Sequence, residues 1–334
     1  MAAVVENREV RSKTQDVDIP NIHFGQYFRS ACDKFKDRTA LIDGTTDQRW
    51  SYAQLLELSS RVAAGLQKLG FGPGQMAGLH SDVTPDMIFA FYGTVLAGGS
   101  IVLAKSSLTK RELRYQLEDA CPSLVFCDEA NADKLKAACE TVPSVKTLVV
   151  FGERENMVCF AALKNTPLCE LQPLPSADPK QLLALVYSSG TTGLPKGVMI
   201  SSKELVASMT ITSHPKTRAY DSNDVMLGTS PITHVSGVSL YNATFAIGAC
   251  IVLLPGSEPT NTLPAIDKYK PTLLFQFPTY IQKLVQSPLL EKYDVSSVRL
   301  LYFGGSPMPS VVARAVRSKL GIKSMKQGTT AASP

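Results

Sequence analysis

Hydrophobic and polar positions follow two rhythms along this chain. Apolar residues recurring every three or four positions predict helices over 24–36, 51–69, 84–97, 109–120, 201–213, 261–269, 278–286 and 308–319. Short β-branched runs between them predict strands over 39–42, 75–79, 101–103, 124–127, 146–150, 182–187, 249–254, 272–276 and 298–303. Such alternation predicts an α/β protein whose mostly parallel sheets are covered by helices. Several element boundaries have a chemical cause. Ser51 with Gln54, Thr109 with Glu112, and Ser201 with Glu204 each fit a capping box, in which two side chains satisfy free amide hydrogens. Thr84-Pro85-Asp86 is a helix start. Ser306-Pro307 places proline at a first helical position, and Asp43-Gly44 suits a tight turn.

One run needs a membrane check. Residues 87–104 carry no charge over 18 positions, the lower limit for a span. Gly98-Gly99 divides the run and its basic flank does not follow a membrane pattern. It reads as a buried helix ending at the glycines, then a buried strand, and no transmembrane span is expected. The four prolines of residues 165–180 mark a linker. The expected organisation is a flexible tail over 1–22, a first α/β lobe over 23–180 and a second over 181–334.

Composition narrows the class. A chain of 334 residues has room for two lobes. With 44% hydrophobic and 19% charged residues, a disordered, collagen-like or coiled-coil protein is excluded. The net charge of +5 resides in residues 308–334, where Arg314, Arg317, Lys319, Lys323 and Lys326 meet no acid. The remainder is neutral, so no nucleic-acid partner is expected. Seven scattered cysteines without a CxxC pair, and only four histidines, argue against a metal site and for a reducing compartment. No signal peptide is read in the polar stretch from Met1 to Asp18. An intracellular, cytoplasmic location is the default expectation. Ser318-Lys319-Leu320 spells a peroxisomal tripeptide, but such a signal must be C-terminal. Asn242-Ala243-Thr244 fits a glycosylation sequon inside an apolar stretch and is discounted.

The chemistry concentrates at residues 187–198, Tyr187-Ser188-Ser189-Gly190-Thr191-Thr192-Gly193-Leu194-Pro195-Lys196-Gly197-Val198. Glycine lets backbone N–H groups approach an anion, hydroxyls donate to phosphate oxygens, and Lys196 adds a point charge. The stretch follows a predicted strand and precedes a capped helix, where ligands of α/β sheets sit. It does not have the Gly-x4-Gly-Lys-Ser/Thr spacing of the common nucleotide loop.

This stretch resembles the signature loop of the acyl-adenylate-forming enzymes: acyl-CoA synthetases, 4-coumarate–CoA ligases and beetle luciferases. Further segments match that family in order: Ser51-Tyr52, Gly98-Gly99, Pro231-Ile232-Thr233-His234-Val235-Ser236-Gly237, and Gly304-Gly305-Ser306-Pro307-Met308. The resemblance implies two doubly wound, mostly parallel-sheet lobes packed in αβαβα layers, without the small C-terminal lid. It implies activation of a small carboxylic acid by ATP and Mg²⁺, giving acyl-AMP and pyrophosphate, followed by transfer to coenzyme A. By position, Ser188, Ser189, Gly190, Thr191, Thr192, Gly193 and Lys196 would hold phosphates, with Lys196 and His234 catalytic. Gly304, Gly305, Ser306, Gln327 and Gly328 would lie against the nucleotide. His234, Tyr241, Phe275, Phe277 and Tyr302 would line the acyl pocket.

The resemblance also has breaks. After Gln327-Gly328 the family continues Tyr-Gly-x-Thr-Glu, whereas here Thr329-Thr330-Ala331-Ala332-Ser333-Pro334 follows. Gly256 stands where a basic residue is common in the family. These breaks imply a truncated large domain with an open sheet edge that invites association. They keep two alternatives open beside the ligase: a non-catalytic nucleotide- or acyl-adenylate-binding regulator, and a luciferase-like oxygenase. Full-length relatives are often peroxisomal.

Overall fold

The computed structural model describes residues 3–6, 9–12, 16–172, 178–188 and 194–328. Among these residues the β-branched runs gather into two seven-stranded sheets. From edge to edge the first holds Lys196–Ser201, Leu182–Ser188, Ser100–Leu103, Met76–His80, Leu124–Asp128, Thr147–Phe151 and Val158–Cys159. The second holds Ser324–Gly328, Leu300–Gly304, Leu273–Gln276, Val225–Gly228, Cys250–Leu253, Thr39–Asp43 and Arg49–Ser51. Within these sheets the strands pair in parallel except at one edge of each, where Lys196–Ser201 and Arg49–Ser51 run antiparallel. Central strands such as Ser100–Leu103 are buried on both faces, so they read as continuous apolar runs rather than as alternating ones.

Helices Tyr52–Lys68, Pro85–Leu96 and Val235–Ile247 fill the space between the sheets and share one core with both. Helices Lys110–Ala120 and Ala132–Cys139 cover the outer face of the first sheet. Pro259–Tyr269, Pro278–Gln286 and Ser310–Lys319 cover that of the second. The arrangement is αβαβα, as the family resemblance implies. Buried hydrogen bonds fix the middle layer: the Tyr92 hydroxyl donates to Asn242 Oδ1 at 2.6 Å, and Tyr52 donates to the Ala249 carbonyl at 2.6 Å. Asn242 is therefore a structural residue, closed to a glycan. All three capping boxes form. Residues 87–104 are the buried helix and strand that the glycines predict, and no helix among the described residues is long and apolar enough to cross a membrane.

Three expectations need correction. The division at 180/181 does not separate the sheets. Leu182–Ser188 returns to the first sheet, pairing Ala184 with Ile101, while Thr39–Asp43 joins the second, pairing Leu41 with Ile251. The described parts of the stretch 187–198 that are strand, Tyr187-Ser188 and Lys196-Gly197-Val198, thus belong to the first sheet. An apolar strand carries no mark of which distant edge it will join, so sequence order misassigns both. The tail over 1–22 contains an antiparallel ribbon of Ala3–Glu6 with Glu9–Ser12, and Ile19 and Ile22 already pack on the core. The last outer helix begins at Ser310 with Pro309 as its cap, three residues beyond Pro307.

Candidate active site

In an open parallel sheet, ligands bind beyond the carboxyl ends of the strands, where the strand order reverses. In the second sheet the chain leaves Val225–Gly228 for Cys250–Leu253 on one side, then returns to Leu273–Gln276 on the other. The reversal lies between Val225–Gly228 and Leu273–Gln276. The segments leaving these two strands carry His234 and Phe277. They are tied at the strand ends by the buried Gln276 Nε2, which donates to Thr229 Oγ1 at 3.1 Å.

His234 caps the helix Val235–Ile247. Its Nδ1 accepts from the Ser236 backbone N–H at 3.2 Å, with the Ser236 hydroxyl 2.6 Å away. A ring nitrogen that accepts a backbone N–H carries no proton, so the neutral imidazole holds its hydrogen on Nε2. Burial pushes the His234 pKa down to about 4, and the positive charge of Lys105 acts in the same direction. At neutral pH the ring is therefore an uncharged donor. The Pro-x-x-His-x-x-Gly spacing has a packing cause. Pro231 O accepts the His234 N–H at 3.1 Å, and a Cβ on Gly237 would fall 2.1 Å from that same oxygen. Only glycine lets the first turn of the helix settle onto the loop.

Aromatic rings line the other side of the reversal. Phe277 meets His234 edge to face, centroids 5.6 Å apart, and meets Phe275 at 5.5 Å. Phe275 and Tyr302 stand in register on adjacent strands, both half-buried. Gly305 has φ +83°, and a Cβ there would press the Phe277 ring at 3.0 Å. Gly304 pairs with Gly328, whose carbonyl oxygen would lie 2.9 Å from a Cβ on Gly304. Ser306 is exposed just beyond.

The structure thus gathers His234, Phe275, Phe277, Tyr302, Gly304, Gly305, Ser306 and Gly328 at one end of the second sheet. Tyr241 does not line that space. It is 1% exposed and donates its hydroxyl to the Ser230 carbonyl, supporting the His234 loop from beneath. Gln327 is exposed on the edge strand, beside Phe303. Ser188 and Lys196 face each other in register on the first sheet, the former half-buried and the latter exposed. Ser189, Gly190, Thr191, Thr192 and Gly193 lie outside the described residues. Two contributors escaped the sequence reading. Ser236 fixes the tautomer of His234, a role legible in hindsight from its place two residues past a cap. Lys105 sits in a Lys-Ser-Ser loop after the strand Ser100–Leu103 and carries no local signal. Among the described residues no three His, Cys, Asp or Glu side chains are grouped to hold a metal ion.

A family model described as AMP-binding enzyme matches residues 28–334. The chain belongs to the AMP-binding enzyme family. It is 32% identical to a 4-coumarate–CoA ligase of Humulus lupulus over 324 residues, covering 95% of this chain and 59% of that protein. A 4-coumarate–CoA ligase of Vanilla planifolia is also 32% identical, over 326 residues, with the same coverage. The chain spans about three-fifths of the length of these curated relatives. Among solved structures, a luciferase-like enzyme from the nonluminescent mealworm Zophobas morio superposes with a TM-score of 0.85 at 25% identity, covering 96% of this chain and 74% of that one. An anthranilate–CoA ligase in complex with anthranoyl-AMP gives a TM-score of 0.86 at 21% identity, over 94% of this chain and 61% of that one. The second likeness, at that identity, is one of fold. It agrees with the two mostly parallel sheets and five layers described above.

Proposed function

We propose that this chain is the carboxylate-activating part of an acid–CoA ligase that joins an aromatic acid to AMP and then to coenzyme A. The observation that carries the reading is the neutral, Nε2-protonated His234 set edge-on to Phe277 at the reversal of the second sheet. In the first half-reaction a carboxylate oxygen attacks the α-phosphorus of ATP, the bond to the β-phosphate breaks, and pyrophosphate leaves. An uncharged N–H donor orients the carboxylate without forming an ion pair that would quench its nucleophilicity. Phe275, Phe277 and Tyr302 offer aromatic faces and edges for an aryl group. The bare backbone at Gly304-Gly305 admits a nucleotide closely. Ser188 and Lys196 supply a hydroxyl and a charge for the outer phosphates as negative charge moves onto pyrophosphate. Magnesium fits this set as an ion held chiefly by phosphate oxygens, which it would neutralise, because Mg²⁺ is commonly carried by few protein ligands. The aromatic acid and the coenzyme A acceptor are supported by the activity for which the 4-coumarate–CoA ligase relatives are named.

The test is acid-dependent release of pyrophosphate from MgATP across a panel of aryl and aliphatic acids. Aryl acids are expected to be the better substrates, and Lys196→Ala to lower the rate by about 10²-fold. A folded protein silent across the panel, or an unaffected Lys196→Ala, overturns the reading.

A further inference from the structure

We propose that the helix Lys110–Ala120 clamps both stems flanking residues 189–193, making Tyr115 and Asp119 positioning residues for Ser188 and Lys196. The proposal rests on the reading of Ser188 and Lys196 as phosphate contacts. It comes from a cluster that the mechanism above leaves unused.

Ser188 and Lys196 form the last described rung of an antiparallel pair. Among the described residues Lys196–Ser201 is an edge strand, paired on one side only. Support for that rung comes from the outer helix. Tyr187, one residue before Ser188, donates its hydroxyl to Asp119 Oδ2 and lies 3.4 Å from the Gln116 carbonyl oxygen. Tyr115 donates its hydroxyl to the carbonyl of Pro195, one residue before Lys196, at 3.1 Å. The two rings meet edge to face, centroids 6.3 Å apart. Tyr115 and Asp119 are four residues apart and so share one face of the helix. One rigid element therefore holds both stems, each through the residue next to a phosphate contact. The helix is itself fixed by the Thr109–Glu112 capping box. Burial first, and then the Asp119 carboxylate, raise the Tyr187 pKa, which keeps the phenol protonated as a donor.

Tyr115→Phe and Asp119→Ala each remove one arm of the clamp from the protein surface, and Asp119→Asn keeps an acceptor oxygen in place. Calorimetric titration with MgATP is expected to show affinity reduced by about tenfold in the first two variants and largely restored in Asp119→Asn. Thermal midpoints should stay near that of the parent chain. Amide exchange over 186–188 and 194–198, without nucleotide, should rise in the first two variants and not in the third. Parental affinity in both Tyr115→Phe and Asp119→Ala, in a chain that binds MgATP, overturns the positioning role. Unchanged exchange in the stems overturns the clamp itself, whatever the affinity does. A parent chain that fails to bind MgATP refutes the phosphate reading instead and takes the positioning role with it.

Discussion

Replacing Gly237 with alanine isolates the packing argument for the His234 loop. The new methyl group would stand 2.1 Å from Pro231 O, 2.7 Å from Pro231 C and 2.9 Å from Ile232 Cα. All three are backbone atoms, so no rotamer change relieves the overlap. The helix Val235–Ile247 must lift or the loop must retreat. Overpacking of a tight site costs about 1–3 kcal/mol. Losing the 3.1 Å bond from His234 N–H to Pro231 O adds about 0.5–1.5 kcal/mol. The expected loss is about 2–4 kcal/mol of a typical stability of about 5–15 kcal/mol. Urea unfolding of Gly237→Ala against the parent chain measures it, with Ser239→Ala on the exposed side of the same helix as a control near zero. Displacing the loop also exposes His234, so its pKa, read by NMR, should climb from about 4 toward the ordinary value of 6.5. A cost under about 0.5 kcal/mol with an unmoved titration would refute the close-contact account of this motif.

Other predictions concern charge. Asp224 is buried, which works to raise its pKa, but it accepts from Thr272 Oγ1 at 2.6 Å, the Asp221 N–H at 2.8 Å and Arg299 Nε at 3.1 Å, and these bonds together hold it below the usual range. Its stabilising contribution is full above the unfolded pKa and is lost as pH falls through the folded one. Asp224→Ala should cost about 2–4 kcal/mol and Arg299→Ala about 1 kcal/mol, because the arginine is half-exposed; equal losses in urea melts would contradict this. His80 is fully buried, and burial followed by the charge of Lys134 pushes its pKa down to about 4 while the Ala104 carbonyl opposes the shift. Between pH 6.5 and 4 the unfolded chain binds the extra proton, so stability should fall on acidification across that window and level off below it. The loss at His80 is about 3 kcal/mol, and an imidazole titrating near 6.5 would disprove its burial.

Much of the architecture is written in local chemistry. The capping boxes at Ser51, Thr109 and Ser201 and the Gly98-Gly99 break mark their boundaries because the signals lie within four residues. Elements without such marks are not legible in the sequence. Val235–Ile247 is buried on nearly every face, so it shows no amphipathic stripe, although it carries His234 at its cap. Val225–Gly228, which forms one side of the site, is only four residues long. The short strands Arg49–Ser51 and Ser324–Gly328 and the uncapped helix Ala132–Cys139 were missed for similar reasons. Sheet membership was misread because parallel pairing joins residues as distant as Leu41 and Ile251, beyond any local pattern. The site residues are legible only through the resemblance carried by the ordered motifs. The sequence could not show that Tyr241 points into the core, since an apolar helix face looks alike from either side. Nor could it show that the charge of Lys105, on the loop after a strand of the other sheet, acts on His234.

The most direct test of the central claim is a crystal structure with a non-hydrolysable aryl-adenylate. The account predicts the aryl group packed against His234 and the rings of Phe275, Phe277 and Tyr302, and the nucleotide along Gly304 to Ser306. A ligand seated elsewhere, or one that does not bind the folded chain, would contradict it.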